Sequence, residues 1–135
     1  MRLKYLRTCS ILVLVLVAGC GGPFYAIPGG ALDGPVATST PSDWSSMQDG
    51  VLQVETRIDD PYSVEINYVV RNGKLYIDPA EGRAWLAHLR ADPKVRVRID
   101  GSVYPMQATL VQDPAEREGF EADRFVYRLE ARQTI

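Results

Sequence analysis

Alternating apolar and polar residues begin at Val51 and recur through most of the chain. A period of two is typical of strands with one buried and one solvated face. It predicts strands over 51–58, 63–71, 74–77, 94–100, 102–112 and 125–131. Asn72-Gly73 and Asp100-Gly101 each separate two strands, and both dipeptides favour tight antiparallel hairpin turns. The pattern therefore predicts about six short, mostly antiparallel strands.

The apolar positions of these strands predict the core. The inward-facing sets are Leu52, Val54, Thr56 and Ile58; Val64, Ile66, Tyr68 and Val70; Val95, Val97 and Ile99; and Tyr104, Met106, Ala108 and Leu110.

Two short helices are expected between strands, because Asp-Pro-Ala-Glu occurs at 78–81 and again at 113–116. Asp can cap a helix, Pro fits its first position, and Glu completes a capping-box pattern. The predicted helices run from 78 to about 91, with Trp85, Leu86 and Leu89 facing the core, and from 113 to about 122. A mainly β fold, a six-stranded antiparallel split barrel, fits this order of elements.

Residues 21–50 differ in composition from the remainder, with six Gly and four Pro and a Ser/Thr cluster at 38–46. Such a segment is typical of a tether, and a flexible chain of this length has a root-mean-square span of about 30 Å. Trp44 is expected to pack on the domain. The predicted organisation is a signal at 1–19, a lipidated cysteine and tether at 20–50, and a barrel at 51–135.

The first twenty residues resemble a bacterial lipoprotein signal. Three basic residues precede an apolar run over 11–18, which ends in Leu16-Val17-Ala18-Gly19-Cys20. That run is about 12 Å long as a helix, too short for a bilayer core of about 30 Å. Cleavage before Cys20 would make it the lipidated first residue and the membrane anchor. Gly21 after the cysteine favours the outer membrane, facing the periplasm, in a Gram-negative envelope.

Charge and cysteine content narrow the function classes. Residues 1–19 hold three of the 15 Lys and Arg and none of the 17 Asp and Glu, so the remainder has 12 basic and 17 acidic residues and a formal charge of −5. That charge argues against a nucleic-acid partner. Lipidation of Cys20 would leave no thiol, and with His88 as the single histidine a classical metal cluster needs carboxylates as further ligands.

Several polar residues have both a chemical and an ordinary interpretation. His88 could act as an acid, base or ligand, or be an ordinary helix side chain. Asp59-Asp60 could be a carboxylate pair or, with Pro61, a turn. Four arginines could bind an anionic ligand or form a solvated face with partners such as Glu130; they are Arg96, Arg98, Arg128 and Arg132.

Residues 82–101 resemble the split-barrel flavin-binding superfamily, which includes pyridoxamine-phosphate-oxidase-like and deazaflavin-dependent nitroreductase-like proteins. The resemblance lies in Trp85, Leu89, Ala91-Asp92-Pro93 and the alternating Val/Arg strand that ends at Gly101. With the hairpin at 68–77 and Asp113-Pro114, it covers about 51–132. It implies a cofactor at a dimer interface, hence a homodimer, with FMN, deazaflavin or haem as candidate cofactors.

The resemblance also points to four candidate cofactor-binding residues: Arg57, Ser63, Trp85 and His88. The loop between the first two strands departs from the family, because Asp59 and Asp60 stand where deazaflavin-binding relatives carry basic and hydroxyl groups for phosphate. We therefore expect a non-catalytic envelope lipoprotein whose barrel binds a small ligand or a protein. A flavin- or deazaflavin-dependent oxidoreductase is the alternative.

Overall fold

The computed structural model describes residues 21–132; the predicted signal peptide and Cys20 lie outside this range. Its elements are β1 (Gly50–Thr56), β2 (Tyr62–Arg71), β3 (Lys74–Ile77), α1 (Ala84–Ala91), β4 (Lys94–Ile99), β5 (Ser102–Leu110), α2 (Pro114–Arg117) and β6 (Tyr127–Ala131). The strands close into an antiparallel barrel in the order β1-β2-β3-β6-β5-β4. The predicted mainly β, six-stranded antiparallel barrel with two short helices is confirmed.

The two predicted hairpin turns have the backbone that their sequences favour. Asn72 and Gly73 have φ values of 50° and 72°, and Asp100 and Gly101 have 49° and 80°. A type I′ turn needs positive φ at both central residues, which Asn-Gly and Asp-Gly supply at low cost.

The core follows the predicted alternation except at two strand ends. Val54, Val95 and Val97 are fully buried, whereas Ile58 and Leu110, both expected inside, are exposed. Strand β1 ends at Thr56 because Arg57 takes a left-handed backbone with φ 58°, so Ile58 lies in the following turn. Leu110 is the last residue of β5.

The first helix begins later than predicted. It starts at Ala84, with Arg83 at the N-cap position and no side-chain cap. Asp78 is therefore not a helix cap. The chain from 78 to 80 is extended instead, because Ala80 bridges to Arg124 and the Pro79 carbonyl accepts a hydrogen bond from the Phe125 amide.

The second helix keeps the predicted cap but is a single turn. The Asp113 carboxylate accepts a hydrogen bond from the Ala115 amide at 3.1 Å, and Pro114 occupies the first turn. The helix ends at Arg117, before Gly119 at φ 85°. Within residues 21–132, no helix is long and apolar enough to cross a membrane.

The segment before the barrel lies on the barrel surface, whereas its composition predicts a flexible tether. We call residues 28–37 the strap and residues 24–27 the apolar turn. In the strap, Gly29 pairs with Ser63 and Val36 with Val103, and Leu32 is buried. Trp44 is also buried, as predicted, with its ring edge-on to that of Tyr104 at 5.3 Å. Backbone pairing and these apolar contacts hold the segment in place.

Candidate functional site

An open groove of about 810 Å³ runs along one side of the barrel. Its walls come mainly from three parts of the chain: residues 25–28, residues 62 and 64–67 of β2, and the segment 78–85 that leads into α1. Val51 and Arg124 complete the lining. The extended form of 78–80 builds one wall, and Ala84 and Trp85 at the start of α1 belong to the same wall. The late helix start therefore shapes this groove.

Apolar and polar groups line the groove in similar measure. Apolar lining residues include Ile27, Val64, Ile66, Pro79 and Trp85, and polar ones include Glu65, Asn67, Asp78, Arg83 and Arg124. Ligand sites in proteins are commonly concave, largely apolar, and about 300–1,000 Å³ in volume. The groove has the size of a small-molecule site and a more polar lining than is common.

Two charged groups in the groove have different surroundings. Burial raises the pKa of Asp78 above its ordinary value, although the nearby Arg124 guanidinium opposes this shift. Arg124 is engaged, since it donates to the Asp78 carbonyl at 3.3 Å and pairs with Glu121 at 3.1 Å. Arg83, in contrast, is exposed at the groove. It is the cation better placed to meet an anionic group on a ligand.

A smaller polar cluster forms around Tyr62 where β1 ends and β2 begins. His88 Nδ1 lies 2.9 Å from Thr56 Oγ1, and Thr56 donates its hydroxyl proton to the Tyr62 carbonyl at 3.1 Å. That proton is thereby used, so Nδ1–H must donate to Thr56, and Nε2 carries the lone pair. Burial lowers the pKa of His88, and the Arg57 charge lowers it further against the opposing effect of Asp60. These effects favour the neutral imidazole, which in this tautomer presents Nε2 as an acceptor.

Arg57 and His88 both contact the aromatic ring of Tyr62. The Arg57 guanidinium stands 5.6 Å from the centroid of the Tyr62 ring, and the His88 ring meets it edge-on at 5.0 Å. Arg57 also pairs with Asp60 at 3.2 Å, and the Asp60 amide donates to the Arg57 carbonyl. The Asp-Asp-Pro sequence thus forms a turn in which one aspartate neutralises the arginine.

The other two predicted cofactor-binding residues have structural contacts. Ser63 is fully buried, and its hydroxyl donates to the Gly30 carbonyl of the strap at 2.7 Å. Trp85 belongs to the hydrophobic core and also lines the groove. The structure therefore brings Arg57 and His88 together at Tyr62, which itself lines the groove, and separates Ser63 from them beneath the strap.

These contacts decide whether the loop between β1 and β2 fits a flavin phosphate. A phosphate needs free donors and positive charge. Arg57 is already paired with Asp60, the Ser63 hydroxyl is used by Gly30, and Asp59 is an exposed carboxylate in the same turn. The loop does not fit the phosphate of a flavin or deazaflavin.

The strongest polar contact of the strap involves a residue that the sequence pattern did not single out. The Glu55 carboxylate is 3% exposed, accepts from the Leu32 amide at 2.6 Å, and pairs with Arg96 at 3.3 Å. Arg96 in turn donates to the Leu32 carbonyl at 3.2 Å. We call this set the Glu55 clamp. Alternation places Glu55 on the outer face, and no local signal shows that the strap covers that face.

The remaining arginines also bind groups of the protein. Arg98 donates to Gln53 at 3.4 Å, Arg128 pairs with Glu116 at 2.6 Å and with Glu130 at 2.8 Å, and Arg132 donates to the Val95 carbonyl at 2.8 Å. These contacts favour the interpretation that the four arginines pair with groups of the protein and do not form a site for an anionic ligand. In the described part of the chain, no group of three or more His, Cys, Asp or Glu residues is arranged to hold a metal ion.

Comparison with known proteins supports the architecture. No family model and no curated protein matches the chain. Among solved structures, it is similar to a FAD-binding protein from Mesorhizobium loti at 18% identity and TM-score 0.48, covering 62% of this chain and 79% of that one. A candidate pyridoxamine 5′-phosphate oxidase from Listeria innocua matches at 16% identity and TM-score 0.50, covering 66% and 87%. The second likeness supports the predicted barrel fold, and at 16% identity it concerns the fold alone.

Proposed function

We propose that this protein is an envelope lipoprotein, anchored through Cys20, whose split barrel binds a small amphiphilic ligand in the groove and catalyses no reaction. The ligand has an apolar, aromatic-sized body and an anionic group. The observation that carries this proposal is the groove itself, with about 810 Å³ bounded by mixed apolar and polar walls and an exposed arginine at Arg83.

The titratable groups around the groove support binding rather than catalysis. His88 is the natural candidate for a general base, because Thr56 holds its Nδ1 and leaves Nε2 able to accept a proton. Its ring packs against Tyr62, and Thr56 is its one side-chain hydrogen-bond partner among the described residues. The buried Ser63 hydroxyl, a candidate nucleophile, donates to Gly30. A nucleophile must be within hydrogen-bond reach of its base, whereas each of these groups is bonded to a different structural partner.

A flavin- or deazaflavin-dependent oxidoreductase is the second candidate. The likeness to a candidate pyridoxamine 5′-phosphate oxidase favours it, but at 16% identity this likeness concerns the fold, and fold does not determine function. The occupied donors of the β1–β2 loop count against it. Homodimerisation, which the superfamily resemblance implies, is a further prediction that sedimentation velocity would test.

Groove binding can be tested with the fluorescent probe anilinonaphthalene sulfonate, which has an aromatic body and one negative charge. In residues 21–135, Ala84→Phe should fill the groove and weaken probe binding at least about tenfold, a loss of about 1.4 kcal/mol. Ala87→Phe is the matched control, because Ala87 is exposed on the same helix and does not line the groove. Equal binding by both variants would refute the groove as the site.

The cofactor alternative has a separate test. Residues 21–135 are purified, and the visible spectrum and melting temperature are recorded with FMN, deazaflavin and haem. A ligand present at 100 times its dissociation constant stabilises a protein by about 2.7 kcal/mol. We expect a colourless protein with an unchanged melting temperature. A chromophore that co-purifies stoichiometrically would overturn the non-catalytic proposal in favour of the oxidoreductase.

The anchor is tested independently of the groove. Cys20→Ser should move the full chain from the membrane fraction to the soluble fraction, since it removes the lipid attachment site. Unchanged fractionation would contradict the anchor.

A further inference from the structure

The apolar turn places three large side chains in solvent. Phe24 is 78% exposed, Tyr25 81% and Ile27 65%. These are three of the four residues in the turn, and the fourth is Ala26. A soluble protein rarely leaves a contiguous apolar patch exposed without an interaction that uses it.

Backbone bonds hold the turn in the shape that produces this exposure. The Phe24 amide donates to the Ile27 carbonyl at 3.0 Å, and the Ile27 amide donates to the Phe24 carbonyl at 2.9 Å. Tyr25 has a φ of 52°, a left-handed conformation that costs a non-glycine residue free energy. The backbone thus holds the exposed side chains on a defined turn.

The base of the turn is attached to the barrel. The Gly30 amide donates to the Gly21 carbonyl at 2.6 Å, and Gly29 exchanges two backbone hydrogen bonds with Ser63, at 2.8 and 2.9 Å. The Gly21 amide donates to the Asp33 carboxylate at 3.1 Å. The turn and the barrel therefore move together, so whatever binds the turn also orients the barrel.

The apolar turn lies close in sequence to Cys20, the predicted site of lipid attachment. Phe24 lies four positions after Cys20, with three residues between them. An extended chain spans at most about 3.6 Å per residue, so these two residues are within about 14 Å of each other. A lipid on Cys20 would hold the turn at the membrane surface, where aromatic side chains concentrate.

We infer that residues 24–27 insert Phe24, Tyr25 and Ile27 into the lipid surface beside Cys20, as a second membrane contact that fixes how the barrel faces the bilayer. The inference rests on the lipid anchor of the proposed function. Tyr25 suits the interface because its ring is apolar and its hydroxyl can remain hydrated. The formal charge of −5 outside the signal favours contact with a neutral rather than an anionic lipid surface.

Tryptophan fluorescence tests the insertion directly. The native Trp44 and Trp85 are buried, which gives a background shielded from lipid. The full chain carrying Tyr25→Trp is reconstituted into phosphatidylcholine vesicles with brominated acyl chains, which quench nearby tryptophan. Leu110→Trp is the matched control, since Leu110 is also exposed and lies at the end of β5. We expect at least about twofold stronger quenching at position 25 than at position 110.

Mass spectrometry of the N-terminal peptide and vesicle flotation separate this inference from the anchor. Lipidated, floating protein without extra quenching at position 25 overturns the insertion and leaves the anchor intact. Quenching at position 25 in protein without lipid on Cys20 supports insertion and refutes the anchor. Protein that does not float overturns insertion, and Tyr25-dependent dimerisation in sedimentation would instead assign the turn to self-association.

A second measurement uses partition of the same full chain between vesicles and buffer. Phe24→Ser and Ile27→Ser should each lower the partition coefficient about tenfold, because each removes a large apolar group from the lipid phase. Leu110→Ser should leave the coefficient unchanged. Equal partition of all three variants would overturn the inference.

Discussion

The strap and the apolar turn are neighbours in sequence but contact their surroundings in opposite ways. The strap is attached to the barrel largely through polar groups, namely the Ser63 pairing and the buried Glu55 clamp. The turn exposes large apolar side chains to solvent, and Tyr25 and Ile27 also line the groove. In a globular protein the usual arrangement is the reverse. The difference indicates that the strap contributes to folding, whereas the turn is available for an external partner.

The largest expected effect comes from breaking the clamp. Glu55→Ala leaves the Leu32 amide without its acceptor and removes the carboxylate paired with Arg96, which keeps only its bond to the Leu32 carbonyl. Loss of one partner from a buried ion pair costs about 3–5 kcal/mol. Urea denaturation of residues 21–135 would measure this loss of unfolding free energy. Glu81→Ala is the control, because its pair with Arg90 is largely exposed and its loss should leave the unfolding free energy nearly unchanged. Equal losses would mean that the clamp does not hold the strap.

A smaller effect is expected from Gly29→Ala. A Cβ at position 29 would overlap the backbone of Gly22, so the start of the strap must shift away from Gly22. Overpacking of this kind typically costs about 1–3 kcal/mol, which thermal unfolding would detect. Gly22→Ala is the matched control, because its Cβ would meet only side chains at 3.7 Å or more. Similar melting temperatures for the two variants would contradict the close approach of Gly29 to the Gly22 backbone.

The pH dependence of stability tests His88, which contacts Thr56 where β1 leads into β2. Burial lowers the pKa of folded His88 below the ordinary 6.5, so the unfolded chain binds the proton more tightly. The His88 contribution is fully present above about pH 6.5 and is lost as the pH falls towards the folded-state pKa. Urea titrations of wild type and His88→Gln from pH 8 to 5 should show a steeper loss in the wild type. Parallel curves would refute the shifted pKa.

The smallest effect on stability is expected at the turn. Tyr25→Ser in residues 21–135 should change the unfolding free energy by no more than about 0.5 kcal/mol, since the side chain is exposed. Urea denaturation would measure Tyr25→Ser beside a Leu32→Ser control. The control should lose more unfolding free energy, because Leu32 is buried in the strap. A large loss at Tyr25 would mean that the turn also contributes to folding.

Local signals predicted the barrel well because strands and hairpins depend on near neighbours in sequence. The two Asp-Pro-Ala-Glu repeats show where such signals stop. Asp113 caps a helix, as the four letters predict, whereas Asp78 lies in extended chain because Ala80 pairs with Arg124. That pairing joins residues 44 positions apart, and no local pattern reveals it.

The site was harder to predict for the same reason. Arg57 and His88 are candidates from the sequence, but only the fold brings them together at Tyr62. Ser63 faces the strap because Gly30, far upstream, covers it. The groove depends on the 78–80 segment that local capping rules assigned to a helix. Glu55 was overlooked because its partners, Leu32 and Arg96, come from opposite sides of it in the sequence.

The Glu55 clamp has a mechanical consequence. If Cys20 is fixed in a membrane, any force that pulls on the barrel passes through residues 21–32 before it reaches β1. The bonds of Glu55 and Arg96 to Leu32, together with the Ser63 pairing, then carry the load. These bonds join the strap to three strands, β1, β2 and β4. A pulling force is therefore shared among the three strands and does not act on a single strand alone.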